Sequence, residues 1–399
     1  MKPYKYLVLF ILGLLLLTAC ASPATPSSPE ASQTEAPAIP PTDIPPTPVP
    51  DTPTPVGINA PLVEKPTFYH IQFLNTLDGW GVTTTQLIRT NDGGVTWYNV
   101  TPADASTDNF QADFIALDAN RAWTLVPDFS NYPNSGTLYQ TRDGGMTWSK
   151  ITVPFSSGGL HFLDEKNGWI LADLGVGAGS NAVAVFQTTN GGTTWTQKYT
   201  NDPNGTNAGD SLPLGGLKSG LTPLNMQTAW VSGVVYSDGT VYLYRTEDGG
   251  ANWSQVTTLT LPAEAQHAQV SFSPIQFVSA QDAFLAVNIP SDQIQLAVYV
   301  SHDAGNTWTM TPTLIPNGRA VDFVSATDGF VHADDQFYLT HDAAQTWTSI
   351  NPNVSFTDTF SEMDFINAST GWVITIDAND HRALYRTNDG GATWSAVTP

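Results

Sequence analysis

From about Gly57 onward the chain is written in short runs of alternating apolar and polar residues, such as YHIQFLN from Tyr69 and MDFINAS from Met363, punctuated by Gly, Asn and Asp. A period of two predicts strands with one buried face. Each such run leads through a turn into an aromatic: DGW ending at Trp80, RAW at Trp123, NGW at Trp169, TAW at Trp230, DAF at Phe284, DGF at Phe330 and TGW at Trp372. A further strand, of which LYRT is an example, then enters a turn of one fixed pattern. It occurs seven times: TNDGGVTW at Thr90, TRDGGMTW at Thr141, TTNGGTTW at Thr188, TEDGGANW at Thr246, SHDAGNTW at Ser301, THDAAQTW at Thr340 and TNDGGATW at Thr387. Each repeat therefore reads as strand A, turn, strand B from the aromatic, hairpin, strand C, the Asp-containing turn and strand D. Repetition at this period predicts an all-β fold, a seven-bladed β-propeller of four-stranded blades.

The recurring turn has structural duties. Asp and Thr side chains accept hydrogen bonds from the turn's own backbone, and Gly supplies positive φ. The Trp after it is expected to lie between neighbouring blades. The pairs are Asp92 and Trp97, Asp143 and Trp148, Asn190 and Trp195, Asp248 and Trp253, Asp303 and Trp308, Asp342 and Trp347, and Asp389 and Trp394. Asn190 replaces Asp and still offers an acceptor, Asn252 replaces Thr, and Ala344 in place of Gly predicts a tighter or differently shaped turn.

The first residues follow another logic. Lys2 and Lys5 precede the apolar run from Tyr6 to Leu17, which ends in LTAC at Leu17 to Cys20. This closely resembles the lipobox of bacterial lipoproteins, which implies lipidation at Cys20, a signal segment over 1–20, and an exported protein lipid-anchored at the bacterial cell envelope. Residues 21–56 lack aromatics and are rich in Pro, as in PPTPVPDTPTPV. They read as a disordered, extended linker that spaces the 57–399 propeller from a membrane. Cys20 is the single cysteine, so no intramolecular disulfide supports the fold.

The eight-residue turn resembles the Asp-box, or bacterial neuraminidase repeat (BNR), of sialidases, sortilin-type receptors and some glucan hydrolases. With its DGW turn the whole unit is more similar to the photosystem II stability and assembly factor family. That resemblance implies a seven-bladed propeller that escorts membrane-protein partners and catalyses nothing. The family's basic partner-binding patch has no counterpart in this acidic chain.

Charge and residue inventory narrow the function further. With 14 basic against 36 acidic side chains, nucleic acid is not a partner. A sialidase needs three converging arginines for the substrate carboxylate. After the signal segment the chain has seven Arg; Arg89, Arg245 and Arg386 precede Asp-boxes and Arg142 lies inside one. Arg121 falls on the face opposite Arg319 and Arg382, so no triad converges. One propeller is also too little chain for the two-propeller cleft of the glucan hydrolases. No metal cluster or cofactor motif is present: His302 and His341 sit at variable box positions expected to be exposed, and DANDH from Asp377 reads as a hairpin turn rather than a Ca²⁺ loop.

In a four-stranded blade the B–C and D–A connections share one face. The longest are the 35 positions from Trp195 to Trp230 and the 31 from Trp253 to Phe284. Asp202, Asn204, Asp210, His267 and Asp292 are the candidate contacts there, with Tyr132 from FSNYPNSG in blade 2. Residues 201–216 are expected to be a surface loop whose trimming spares the melting temperature. The reading is a monomeric, non-catalytic cell-surface lipoprotein whose propeller binds an unidentified protein partner or envelope glycan. Its alternative is a carbohydrate-binding or glycoside-hydrolysing, sialidase-like propeller.

Overall fold

The computed structural model describes residues 57–105 and 112–397. The lipobox with Cys20 and the 21–56 linker lie outside the described residues. Described strands form five four-stranded sheets and one ten-stranded sheet, paired antiparallel in the order A–B–C–D. Within the ten-stranded sheet, blades 4 and 5 are joined by Ser271–Phe272, which pairs with the B strands of both. Seven consecutive four-stranded units result. Their A strands are Phe68–Phe73, Asp113–Ala116, Gly158–Phe162, Leu217–Pro223, Gln276–Phe277, Gly318–Phe323 and Phe360–Phe365. Their B strands are Gly79–Thr83, Ala122–Pro127, Gly168–Gly177, Ala229–Val234, Ala283–Ile289, Gly329–Ala333 and Gly371–Ile376.

One aromatic seam joins blade to blade. The B-strand aromatic of one blade lies face to face on the last A-strand residue of the next: Trp123 on Phe162 at 3.8 Å, Phe284 on Phe323 at 3.6 Å, Phe330 on Phe365 at 3.6 Å, and Trp372 on Phe73 at 3.5 Å. This explains the residue before the aromatic. In blades 1, 3, 6 and 7 a Cβ at Gly79, Gly168, Gly329 or Gly371 would come within 2.3–2.9 Å of that blade's own A-strand Phe ring. Where the A-strand partner is Ala116 or Pro223, the turn carries Ala122 or Ala229 instead.

Box Trp side chains fill the second layer of each interface. Trp97 packs with blade 7's Trp372, Ile374 and Leu384, and Trp394 with blade 6's Phe330 and Phe337. Blade 1 thus closes the ring directly against blade 7. Besides the Phe73 stack, Trp372 Nε1 donates to the Gly93 carbonyl at 3.1 Å, and Arg382 donates to the Phe68 carbonyl at 2.7 Å. Among the described residues no strand is exchanged to close it, since every blade uses four consecutive strands.

Gly371→Ala is expected to push the Phe365 ring off its stack on Phe330 and to cost ~1–3 kcal/mol, as overpacking does. Ala229→Gly, opposite Pro223, is expected to cost only ~1 kcal/mol or less. Urea unfolding of the two variants measures the difference; equal effects would remove the steric explanation of the turn.

Candidate functional site

The Asp-box turns are saturated internally. Asp92 Oδ1 accepts from the Thr96 N–H at 2.9 Å and from the Thr90 hydroxyl at 2.8 Å, and its Oδ2 accepts from the Thr96 hydroxyl. The Thr90 hydroxyl in turn accepts from the Gly94 N–H at 3.0 Å. Asn190 reproduces this, accepting from Thr194 N–H and donating to its hydroxyl, each at 2.9 Å. Asn252 donates to Asp248 at 2.8 Å. The expected change of shape at Ala344 does not occur: Ala344 adopts φ 64° and its N–H reaches the Thr340 hydroxyl at 3.0 Å, as Gly94 does with Thr90. The turn's hydrogen bonds hold a side chain in the left-handed region. Hydrogen bonds from Thr346 and from Thr393 hold Asp342 and Asp389 below the usual carboxylate range. Carboxylates bonded this way are poor proton donors at neutral pH.

Sequence reading missed a second constellation, on the A strands that line the axis. Side chains near the end of one A strand bond the backbone of the next blade's A strand. Asp113 accepts from Leu160 N–H, Asp322 from Phe365 N–H and Asp364 from Phe73 N–H. Gln276 and Gln72 reach Phe323 and Ala116 in the same way. Desolvation raises Asp113 and Asp322 to about 6 and Asp364 to about 7. His70 bonds Glu362 at 2.8 Å; desolvation draws its pKa down, but the hydrogen bond and charge of Glu362 prevail and raise it. His161 and the buried His332, stacked on Phe360 at 3.9 Å, are held down to about 4 by desolvation. The signal was an Asp inside an otherwise apolar strand, as in the repeated Asp-Phe pairs at 113, 322 and 364.

On the B–C and D–A face the predicted contacts are only partly brought together. Tyr132 donates to Asp173 of blade 3 at 3.1 Å. Asp202 and Asn204 share one turn, with Asn204 N–H on Asp202 at 3.0 Å. His267 ends a short 3₁₀ helix, Ala263–His267, and the adjacent Ala268 carbonyl accepts from Gly239 N–H of blade 4 at 2.9 Å. Asp292 is exposed in the B–C turn of blade 5. Asp210 does not belong to this face. It lines a groove along blade 3's outer strand with Lys198 and with Asn252 of the next Asp-box, at the other end of the blade.

Residues 201–216 are not a dispensable surface loop. Leu212 is fully buried beside Tyr199 and Tyr242, and the Tyr199 hydroxyl holds Leu212 N–H and the Gly209 carbonyl, each at 2.8 Å. Lys218 Nζ binds the carbonyls of Asn181, Pro213, Leu214 and Gly216 at 2.8–3.1 Å. Trimming this segment removes core, which overturns the expectation of an unchanged melting temperature. What does stand exposed on the face is apolar: Phe129, Tyr132, Val176, Leu214, Tyr236 and Ile294, from the connections of blades 2 to 5. His302 and His341 are exposed as expected, capped by Asp282 at 2.8 Å and Asp328 at 2.6 Å. DANDH is a hairpin turn in which Asp377 accepts from Asn379 and His381 N–H.

Comparison with known proteins places this geometry. The family model described as photosynthesis system II assembly factor YCF48 matches residues 58–208, and that of sortilin, neurotensin receptor 3, matches 296–399. The solved structure of YCF48 bound to D1 peptide covers 82% of this chain and 94% of its own, at 16% identity and TM-score 0.53. The chain is a BNR-type β-propeller resembling the photosystem II assembly factors. Enzymes share the architecture. The GH74 xyloglucanase from Xanthomonas campestris aligns over 84% of this chain and 55% of its own at 12% identity and TM-score 0.57. Xyloglucanase Xgh74A of Acetivibrio thermocellus is 22% identical over 304 residues, 70% of this chain but 31% of the xyloglucanase's length. Likeness at these identities shows the propeller and leaves activity to the site.

The axial carboxylates give a pH signature. A carboxyl whose folded pKa is raised above 3.8 takes up a proton on folding, so ionising it above its folded pKa opposes the native state. Asp364, at about 7, therefore costs most stability above pH 7, and the cost falls as pH drops through 7 toward the unfolded value of 3.8. Asp364→Asn keeps an acceptor for Phe73 N–H and is expected to melt higher than wild type at pH 8, with the advantage shrinking as pH falls to 5. Thermal melts across that range check it; an advantage independent of pH would contradict the assignment.

Proposed function

We propose that the protein is a non-catalytic, lipid-tethered scaffold whose propeller binds a polypeptide partner at the B–C and D–A face of blades 2 to 5. The observation that carries this reading is the exposed apolar rim from Phe129 to Ile294 on loops anchored to the blades. An apolar patch on a rigid scaffold, ringed by polar groups, marks an interaction site. The ring here is acidic: Asp128, Asp173, Asp202, Asp238, Glu264 and Asp292 lie on the same connections, while Lys218 is consumed by backbone carbonyls. A segment with apolar side chains flanked by Lys or Arg fits that chemistry. The YCF48 structure bound to a peptide supports protein binding by a propeller of this kind. The second reading, carbohydrate binding or hydrolysis, draws on the xyloglucanase likeness and on exposed Phe129, Tyr132 and Tyr236, whose rings suit sugar faces.

The deciding experiment is affinity capture from the host's detergent-solubilised envelope by the full chain. The expected result is one membrane protein, lost with Phe129→Ser/Tyr236→Ser while the melting temperature stays within about 2 °C, as surface changes usually allow. Recovery of wall polysaccharide alone would shift the assignment to the carbohydrate reading. For the tether, Cys20→Ser is expected to move the protein from the membrane pellet to the soluble fraction; unchanged sedimentation would refute lipidation at Cys20.

A further inference from the structure

Three blades place an arginine on strand C directly opposite the B-strand tryptophan: Arg89 opposite Trp80, Arg245 opposite Trp230 and Arg386 opposite Trp372. Each guanidinium lies 5.1–5.5 Å from its ring, and each Nε is buried without an acceptor. The outer ends differ. Arg89 faces Asp78 at 3.5 Å, and Arg245 pairs with Glu247 at 2.9 Å. In blade 7 the positions equivalent to those two carboxylates are Thr370 and Asn388, by the shared register of Gly79 with Gly371 and of Thr246 with Thr387. Among the described residues Arg386 has no carboxylate partner, and the remaining unpaired arginines, Arg142 and Arg319, are exposed.

Arg386 opens into a cleft of 350 Å³ between blades 7 and 1, walled by Val95, Asn388, Thr393, Ser395 and Val397. Its Nη1 lies so close to Gly93 that a Cβ there would stand 2.4 Å away. Asp389 also borders the cleft, but its oxygens are taken by Thr387 and Thr393. In the counterpart cleft between blades 4 and 5, of 410 Å³, Glu247 itself is part of the wall. The repeat thus supplies its own control: the same arginine on the same ring meets a carboxylate twice and lacks one once.

We propose that the blade 7–blade 1 cleft is a carboxylate-binding subsite, in which Arg386 receives a Glu or Asp side chain of a polypeptide ligand. The acidic chain, with 36 carboxylates against 14 basic groups, weakens the binding of any anion, so a carboxylate that also brings apolar contact is favoured over an inorganic anion. A carboxylate delivered on a peptide is held there by its other contacts, and Val95 and Val397 accommodate its hydrocarbon stem. The subsite sits at the Asp-box end of the blades, and it stands or falls independently of the apolar rim on the other face.

The test is calorimetric titration of the full chain with N-acetylglutamate α-amide, with glucuronate as the second probe. Saturable binding of the glutamate compound is expected, weakened about tenfold or more by Arg386→Gln. Asn388→Glu supplies the carboxylate that blade 4 has, and is expected to abolish binding while leaving the melt intact. Glu247→Gln frees Arg245 and is expected to add a second equivalent site. Absence of saturable binding, or binding unchanged by Asn388→Glu, would overturn the subsite; tighter binding of glucuronate would overturn its assignment to a polypeptide.

Discussion

The packing of the B-strand aromatic against the following blade's A strand, face to face at four of the seven interfaces, is the interaction on which the rest of the structure depends. It is the same contact at the ring's closure, Trp372 on Phe73 at 3.5 Å, as inside the chain, Trp123 on Phe162 at 3.8 Å. A chain with a single cysteine has no internal disulfide, so the ring is held by burial, by stacking and by hydrogen bonds from blade to blade. Gly occupies the four A–B turns whose A-strand Phe is stacked, while Ala stands opposite Ala116, Pro223 and the tilted Phe277, so a turn motif that looks like local chemistry is set by contact between sheets.

The axial hydrogen bonds complete this seam at a cost. Asp113, Asp322 and Asp364 each satisfy an N–H of the neighbouring blade, which would otherwise be buried without a partner. Doing so places three carboxyl groups where desolvation lifts their pKa to between about 6 and about 7. Perturbed groups often mark catalytic sites, but here each one is bonded to backbone and serves the ring. Asp342 and Asp389 of the boxes show the opposite shift, because hydrogen bonds from Thr346 and Thr393 favour the charged form.

With the blades fixed, variation is confined to the connections and to strand-C positions at the interfaces. The long 201–216 segment shows how far this goes: it inserts Leu212 into the core shared by blades 3 and 4 and is pinned by the Lys218 ammonium. Exposed apolar side chains therefore stand on a firm base. At the other end, the neutral Thr370 and Asn388 beside Arg386 break a pattern that blades 1 and 4 complete.

Much of this was legible in the sequence. Periodicity gave the strands, the box gave its own hydrogen bonds, and the recurring Trp marked the blade interfaces, because each depends on residues within one repeat. Asp210 was placed on the wrong face, and the 201–216 segment was read as free loop, because loop length says nothing of the path a chain takes over its neighbours. The acceptors at 113, 322 and 364 were present as Asp-Phe pairs, yet their partners lie from 43 to 291 positions away. What the sequence alone determined was the repeating unit and its turn chemistry, since those are local. Only the tertiary structure decided how the ring closes, which carboxylates lose their water and which arginine lacks a partner, because each is a contact between blades.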